Sequence, residues 1–179
     1  SLYYYVSSKE ELFHDVVYSA AENNVLRAES IRDGEGTTRE KIEALIRTLM
    51  ESFEQFYPYL YVYIQERMSQ IGGKDDPWAS KMWELNKRYD DAVMTVVQQG
   101  LDNGEIKPVA SARVIAYGLV GMVNWSHRWF RPAGDLTADQ VGAAYAEIVL
   151  SGLMIPPAAP EQSQVKKRTA KGRKKKGTE

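Results

Sequence analysis

From Ser8 to Leu153 apolar residues recur three and four positions apart, and the pattern breaks where glycine or proline stands. This constrains the fold more than any other feature. A period near 3.6 buries one stripe of a helix, whereas a strand needs alternation at a period of 2. The breaks are Asp33-Gly34-Glu35-Gly36, Pro58, Gly72-Gly73, Asn103-Gly104 and Pro132-Ala133-Gly134-Asp135. They divide the body into six helices. No segment reads as a strand, none as a glycine loop between strand and helix, and no internal repeat is present. The expected fold is all-α.

Taken in order, the first long helix carries Leu12, Val16 or Val17, Ala20 or Ala21 and Val25, and ends near Arg27 or Ala28. Thr38 caps the second, whose buried face is Ile42, Leu45, Ile46, Leu49, Phe53 and Phe56. Pro58 ends or kinks it, and Leu60, Ile64 and Met68 continue as a third. Asp76-Pro77 opens the fourth, because proline suits a first helical turn. Its stripe is Trp78, Met82, Leu85, Tyr89, Val93, Val96 and Leu101. The fifth is expected from about Ala110 to Phe130, and the sixth from a Thr137 cap to about Leu153. Pro156, Pro157 and Pro160 then end regular structure, and residues 156–179 are expected to be disordered.

Charge divides unevenly along the chain. Residues 166–179 hold eight basic residues and one acid, a balance of +7, so the first 165 residues stand at −8 within a total of −1. An acidic body does not bind nucleic acid over its whole surface, but contact through one small end is compatible with it. The lysine-rich tail either adds non-specific DNA affinity by counterion release or only solubilises. The absence of cysteine excludes disulfides, thiolate metal sites and cysteine nucleophiles. His14 and His127 lie far apart and have no third ligand at metal spacing. No serine sits in a strand–helix elbow, and no run of apolar residues is long enough to span a membrane. Catalysis is not expected, and no cofactor is implied.

Three clusters in the body remain. Phe56-Tyr57-Pro58-Tyr59-Leu60-Tyr61-Val62-Tyr63 surrounds a proline kink, which opens space between helices. Aromatic walls with hydroxyl handles suit a mostly apolar ligand, and Tyr59 and Tyr63 are candidates to line it. The same residues also make an ordinary core. In the segment from Gly121 to Pro132, Trp125 and Trp129 lie four apart, and Arg128 and Arg131 three apart. Two guanidiniums beside two indoles suit an anionic group next to a flat or apolar one. They equally suit a cation–π brace or a helix C-terminus. Small residues at Gly118 and Gly121, and at Gly142 and Ala146, permit close helix approach, within one chain or between two.

The chain opens with Leu2-Tyr3-Tyr4-Tyr5-Val6-Ser7-Ser8-Lys9-Glu10-Glu11-Leu12. Leu2 and Val6 share a helix face. Three consecutive phenols fit a surface that meets phosphates and bases better than a core. Ser8 and Glu11 have the spacing of a capping box, so a new helix is expected to begin there. This stretch resembles the end of the recognition helix and the start of the connecting helix in TetR-type transcriptional regulators. The resemblance implies that Tyr3 and Tyr5 touch DNA phosphates, that Tyr4 reaches bases and that Lys9 contacts phosphate. It assigns residues 1–7 to a DNA-binding unit, 8–155 to a helical ligand-binding and dimerisation domain, and 156–179 to the tail. In that family two further helices precede this point. Without them only weak, sequence-independent DNA binding is expected.

The body resembles the same family's ligand-binding domain in its six helices, the Gly104-Glu105-Ile106 turn and the small-residue last helices. The resemblance implies a homodimer built on the fifth and sixth helices. The segment from Gly121 to Pro132 resembles the branch that governs fatty-acid or steroid breakdown in actinobacteria, whose members release DNA on binding an acyl-coenzyme A. The expected function is a cytoplasmic repressor of operator DNA relieved by such an effector, with Arg128 and Arg131 on its phosphates. The alternatives are a regulator sensing a hydrophobic drug or aromatic metabolite, and an all-α dimeric scaffold that binds through its basic tail.

Overall fold

The computed structural model describes residues 2–69 and 77–155, and side chains within 8–65 and 77–155. Six helices follow one another: α1 (Leu2–Asp33), α2 (Thr38–Gln55), α3 (Tyr59–Ser69), α4 (Pro77–Asp102), α5 (Ala112–Asn124) and α6 (Ala138–Leu153). Among the described residues there is no strand, and the fold is all-α. Gly72-Gly73, Asp76, the tail and the side chains of Tyr3, Tyr4, Tyr5 and Met68 lie outside this description. No described helix is long and apolar enough to cross a membrane.

The helix break expected at Ser7-Ser8 is absent, and α1 runs through both serines for 32 residues. A capping residue permits a helix start but does not force one. With no glycine or proline between Leu2 and Asp33, propagation continues. The far end also extends past Ala28. Arg88 donates to both carboxylate oxygens of Glu29 at 3.0 and 2.8 Å, and Ile31 packs on the core, so the last turn is held. Gly34 closes it, its N–H donating to the Ser30 carbonyl at 2.9 Å.

The N-cap of α2 is Thr37, one residue before the expected Thr38. Its hydroxyl accepts the Glu40 N–H at 3.2 Å while Glu40 accepts the Thr37 N–H at 2.8 Å, a reciprocal capping box. Thr38 is instead the first helical residue, buried, with its N–H on Glu105 at 3.1 Å. The capping-box spacing Thr37-x-x-Glu40 was the available signal, since the residue three beyond Thr38 is Lys41.

α2 is the central helix of the bundle. Its Ile42, Leu45, Ile46, Leu49, Met50 and Phe53 are buried against α4, α5 and α6. A second cluster joins α1 to α4 through Val17, Val25, Met82 and Leu85. Gly100 marks the tightest crossing, since a Cβ there would sit 2.4 Å from Thr38 Cγ2 and 2.7 Å from Ile106 Cδ1. An antiparallel bridge between Ile106 and Met154 ties the end of α6 to the end of α4.

α5 is shorter than expected. A Ser111 cap starts it, and at Trp125 it tightens into a 3₁₀ turn, Trp125–Arg128. Fourfold spacing therefore does not hold across 125–131, and the arginine and tryptophan pairs do not form the regular helical faces the sequence suggested.

Candidate functional site

The helices bound a partly open cavity of about 410 Å³. Packing voids in protein interiors rarely exceed a water molecule, and ligand pockets span roughly 300–1,000 Å³. Its apolar walls come from Leu49 and Phe53 on α2, Leu60 and Ile64 on α3, Leu85 on α4 and Val120 on α5. α1 adds Ala21 and Asn24. The proline break between α2 and α3 swings α3 across this space, as the Tyr57-Pro58 segment suggested.

Polar groups interrupt these walls. Asn86 and Asp90 lie one turn apart on α4, and Asn124 ends α5. Asn86 donates one amide proton to the Tyr63 hydroxyl at 2.9 Å and one to the Met82 carbonyl at 2.6 Å. Tyr89 lines the cavity between them, and burial, followed by the charge of Asp90, raises the pKa of its hydroxyl. No lysine, arginine or histidine is among the described residues that line the cavity.

Of the residues expected to hold a ligand, Tyr63 lines this cavity. Tyr59 instead packs on Phe13, ring centroids 6.3 Å apart. Trp125 and Trp129 are 54% and 46% exposed and off the cavity wall. Arg128 lies over the Trp125 ring at 4.8 Å. Arg131 donates to the carbonyls of Phe130 at 2.8 Å and His127 at 3.4 Å, and sits over Tyr61 at 5.7 Å. Tyr61 also donates to the Phe130 carbonyl, at 2.9 Å, and burial pushes its pKa up to about 12, an effect that Arg131 opposes. Arg131 thus fastens the end of α5 to α3. Arg128 and Arg131 are engaged separately, each on its own ring.

The polar wall escaped sequence analysis. Asn86 and Asp90 flank Tyr89 beside the buried stripe of α4, where polar residues look like a solvated edge. A polar pair one turn apart beside Leu85 and Tyr89 was the available signal. Buried His127, with Nδ1 2.7 Å from the Asn124 carbonyl, was also missed as a structural residue.

The small residues separate into two groups. Gly142 and Ala146 are buried on the face of α6 that meets α2, where a Cβ on Gly142 would come within 3.2 Å of Arg47 Cα. Their close approach is therefore made within the chain, which corrects their expected place between two chains. Gly118 and Gly121 have open space above them. They share an outward stripe of α5 with Val114, Tyr117 and Trp125, 62%, 47% and 54% exposed. On α6 the large apolar residue left exposed is Ile148, 64% exposed. Tyr117 and Gly121 also line the cavity, so this stripe and the cavity share residues.

At the other end, Lys9 is exposed on α1, as are its neighbours from Ser8 to Leu12. Among the described side chains, the first ring contacts of α1 with the body come from Phe13 and His14. His14 stacks on Trp78 with centroids 4.0 Å apart, and Trp78 meets Tyr63 edge-on at 5.9 Å. A short chain of rings thus connects the cavity wall to the exposed start of α1.

These features define an all-α domain built around a cavity, with a helix that continues beyond its core. Residues 35–153 match the family described as the tetracyclin repressor-like C-terminal domain, and the chain belongs to that family. It is a TetR-family transcriptional repressor, not an enzyme. The repressor KstR2 of Mycobacterium tuberculosis H37Rv is 29% identical over 154 residues, covering 86% of this chain and 75% of that one. The solved structure of the M. tuberculosis KstR2, a ketosteroid transcriptional regulator, superposes with a TM-score of 0.72 at 28% identity, over 87% of this chain and 78% of that one. AibR, solved with isovaleryl coenzyme A and operator DNA, has the same fold, with a TM-score of 0.64 at 21% identity over 82% of this chain and 77% of that one.

Proposed function

We propose that the protein is a dimeric cytoplasmic repressor, and that an effector in the 410 Å³ cavity relieves its binding to operator DNA. One observation carries this reading. α1 supplies Ala21 and Asn24 to the cavity wall and runs back without a break to Lys9. Twelve residues of helix span about 18 Å, and an unbroken helix conveys a tilt better than two helices joined by a turn. A ligand that favours one tilt of α1 changes the spacing of two DNA-reading heads, which must sit about one helical turn of DNA apart. It shifts that equilibrium only by its preference for the tilt.

The effector class we favour is an acyl-coenzyme A. KstR2 is a ketosteroid regulator, and AibR binds isovaleryl coenzyme A. In this chain the exposed Arg128, lying over Trp125, comes four residues after Asn124 of the cavity wall, where it is available to a phosphate. Arg131 is committed to carbonyls and remains the weaker candidate. The aromatic part of the wall, Phe53, Tyr63 and Tyr89, suits a drug or aromatic metabolite as the second reading. Calorimetry separates them. Arg128→Ala is expected to weaken acyl-coenzyme A binding by roughly 10-fold or more while leaving an uncharged aromatic ligand unaffected. If the unmutated chain binds no acyl-coenzyme A, the second reading takes its place.

DNA contact is assigned to Tyr3, Tyr4, Tyr5 and Lys9, with Tyr4 reading bases and the others phosphates. The dimer face is assigned to the outward stripe of α5 with Ile148 of α6. Gly118 and Gly121 lie at its centre, where close helix approach is open.

A further inference from the structure

We infer that Tyr63 donates its hydroxyl proton to a carbonyl oxygen on the buried part of the effector, with Asn86 as the positioning residue that sets this direction. The inference rests on the cavity being the effector site. The side-chain amide of Asn86 on α4 comes within 2.6 Å of the Met82 carbonyl. A backbone carbonyl only accepts, so the amide atom facing it is the nitrogen. The same nitrogen stands 2.9 Å from the Tyr63 hydroxyl on α3. An amide nitrogen donates protons and accepts none. Tyr63 is therefore the acceptor in that bond, and its own proton is left to donate elsewhere. Among the described residues no acceptor takes it. Tyr63 lines the cavity, and its ring is set by the edge-on contact with Trp78. The proton is thus available to whatever fills the space.

The rest of the wall narrows the class of acceptor. No cation is among the described lining residues, and a carboxylate desolvated without one is costly to bury. A purely hydrocarbon ligand excludes water from Tyr63 and leaves its proton without a partner, which costs at least as much as a lost hydrogen bond. A hydroxyl accepts the proton but brings another that needs an acceptor of its own. A carbonyl accepts without adding charge or a donor. The buried end of the effector is thus a neutral apolar frame bearing a carbonyl.

The test is calorimetry on the full chain with cyclodecanone and methylenecyclodecane, which have the same shape and exchange one oxygen for a methylene. Neither carries coenzyme A, so the result does not depend on that reading of the effector. Tyr63→Phe keeps the ring and removes the proton. It is expected to weaken cyclodecanone by roughly fivefold or more, and to leave methylenecyclodecane unchanged or more tightly bound. A packing role for Tyr63 would weaken both alike, so equal losses overturn the inference and leave the cavity as the effector site. Asn86→Asp turns the neighbour into an acceptor that takes up the Tyr63 proton. It is expected to weaken cyclodecanone by roughly fivefold or more, while cyclodecanol, which donates to the Tyr63 oxygen, stays within about threefold. Equal losses for ketone and alcohol overturn the role of Asn86. If that variant does not fold, the Tyr63→Phe comparison alone decides. Binding of neither cyclodecanone nor methylenecyclodecane to the unmutated chain overturns the inference and the cavity reading together.

Discussion

Arg131 shows what sequence spacing conveys and what it omits. Two arginines three positions apart, among tryptophans, suggested one anion site. The 3₁₀ turn at Trp125–Arg128 instead gives each guanidinium its own ring. Periodicity predicts a face only while the helix persists, and nothing in Trp125-Ser126-His127-Arg128 marks the tightening. Tyr63 was legible because it follows a proline break within an aromatic run. Asn86 and Asp90 were not, because a polar residue beside a buried stripe looks like surface until the opposing helix is in place. The structural role of the segment makes a prediction. Tyr61→Phe removes one of two donors to the Phe130 carbonyl, which Arg131 still satisfies at 2.8 Å. The expected loss is about 1 kcal/mol in urea denaturation. Arg131→Ala removes its bonds to both the Phe130 and His127 carbonyls, and is expected to cost more than Tyr61→Phe. A smaller loss for the arginine would return it to the ligand.

Among the elements, helix count, order and most boundaries were legible, because glycine and proline interrupt a chain that otherwise keeps helical period. α1 and the end of α5 were the exceptions. The Ser8-x-x-Glu11 signal of α1 is a local possibility, and the continuous helix on either side of it prevailed. The Ile106–Met154 bridge left no sequence signal, since a single pair is too short to alternate. The crossing of α4 over the start of α2 is the sharpest packing constraint. Gly100→Ala puts a methyl group within 2.4 Å of Thr38 and 2.7 Å of Ile106. Overpacking of this kind is expected to cost about 1–3 kcal/mol, read as a lower midpoint of thermal unfolding. An unchanged midpoint would mean that α4 sits further from α2. At the N-terminus of α2, Thr37→Ala removes the hydroxyl from the capping box, for an expected loss of about 1 kcal/mol. Thr37→Ser keeps the hydroxyl and is expected to retain most of that stability, so equal losses for the two substitutions would contradict this placement of the cap.

For the whole molecule, α5 serves two surfaces. Its outward stripe is assigned to a second copy, while Tyr117 and Gly121 also face the cavity. Dimerisation is therefore best probed at Gly118, which has open space above it and does not line the cavity. Gly118→Arg places an unpaired charge in a close helix contact, and sedimentation is expected to show a folded monomer. A dimer of unchanged stability would move the interface elsewhere. The account as a whole depends on the cavity governing DNA release through α1. The most direct measurement uses the chain joined ahead of Leu2 to a TetR-type helix-turn-helix head, and operator DNA selected by the unliganded protein from a random pool. Fluorescence anisotropy then follows release of that DNA as decanoyl-coenzyme A is added, for the unmutated protein and for Ile64→Trp, which fills the cavity with an indole. The account predicts that both bind the DNA and that the ligand releases it from the unmutated protein alone. Equal release from the filled variant, or none from the unmutated protein, would contradict it.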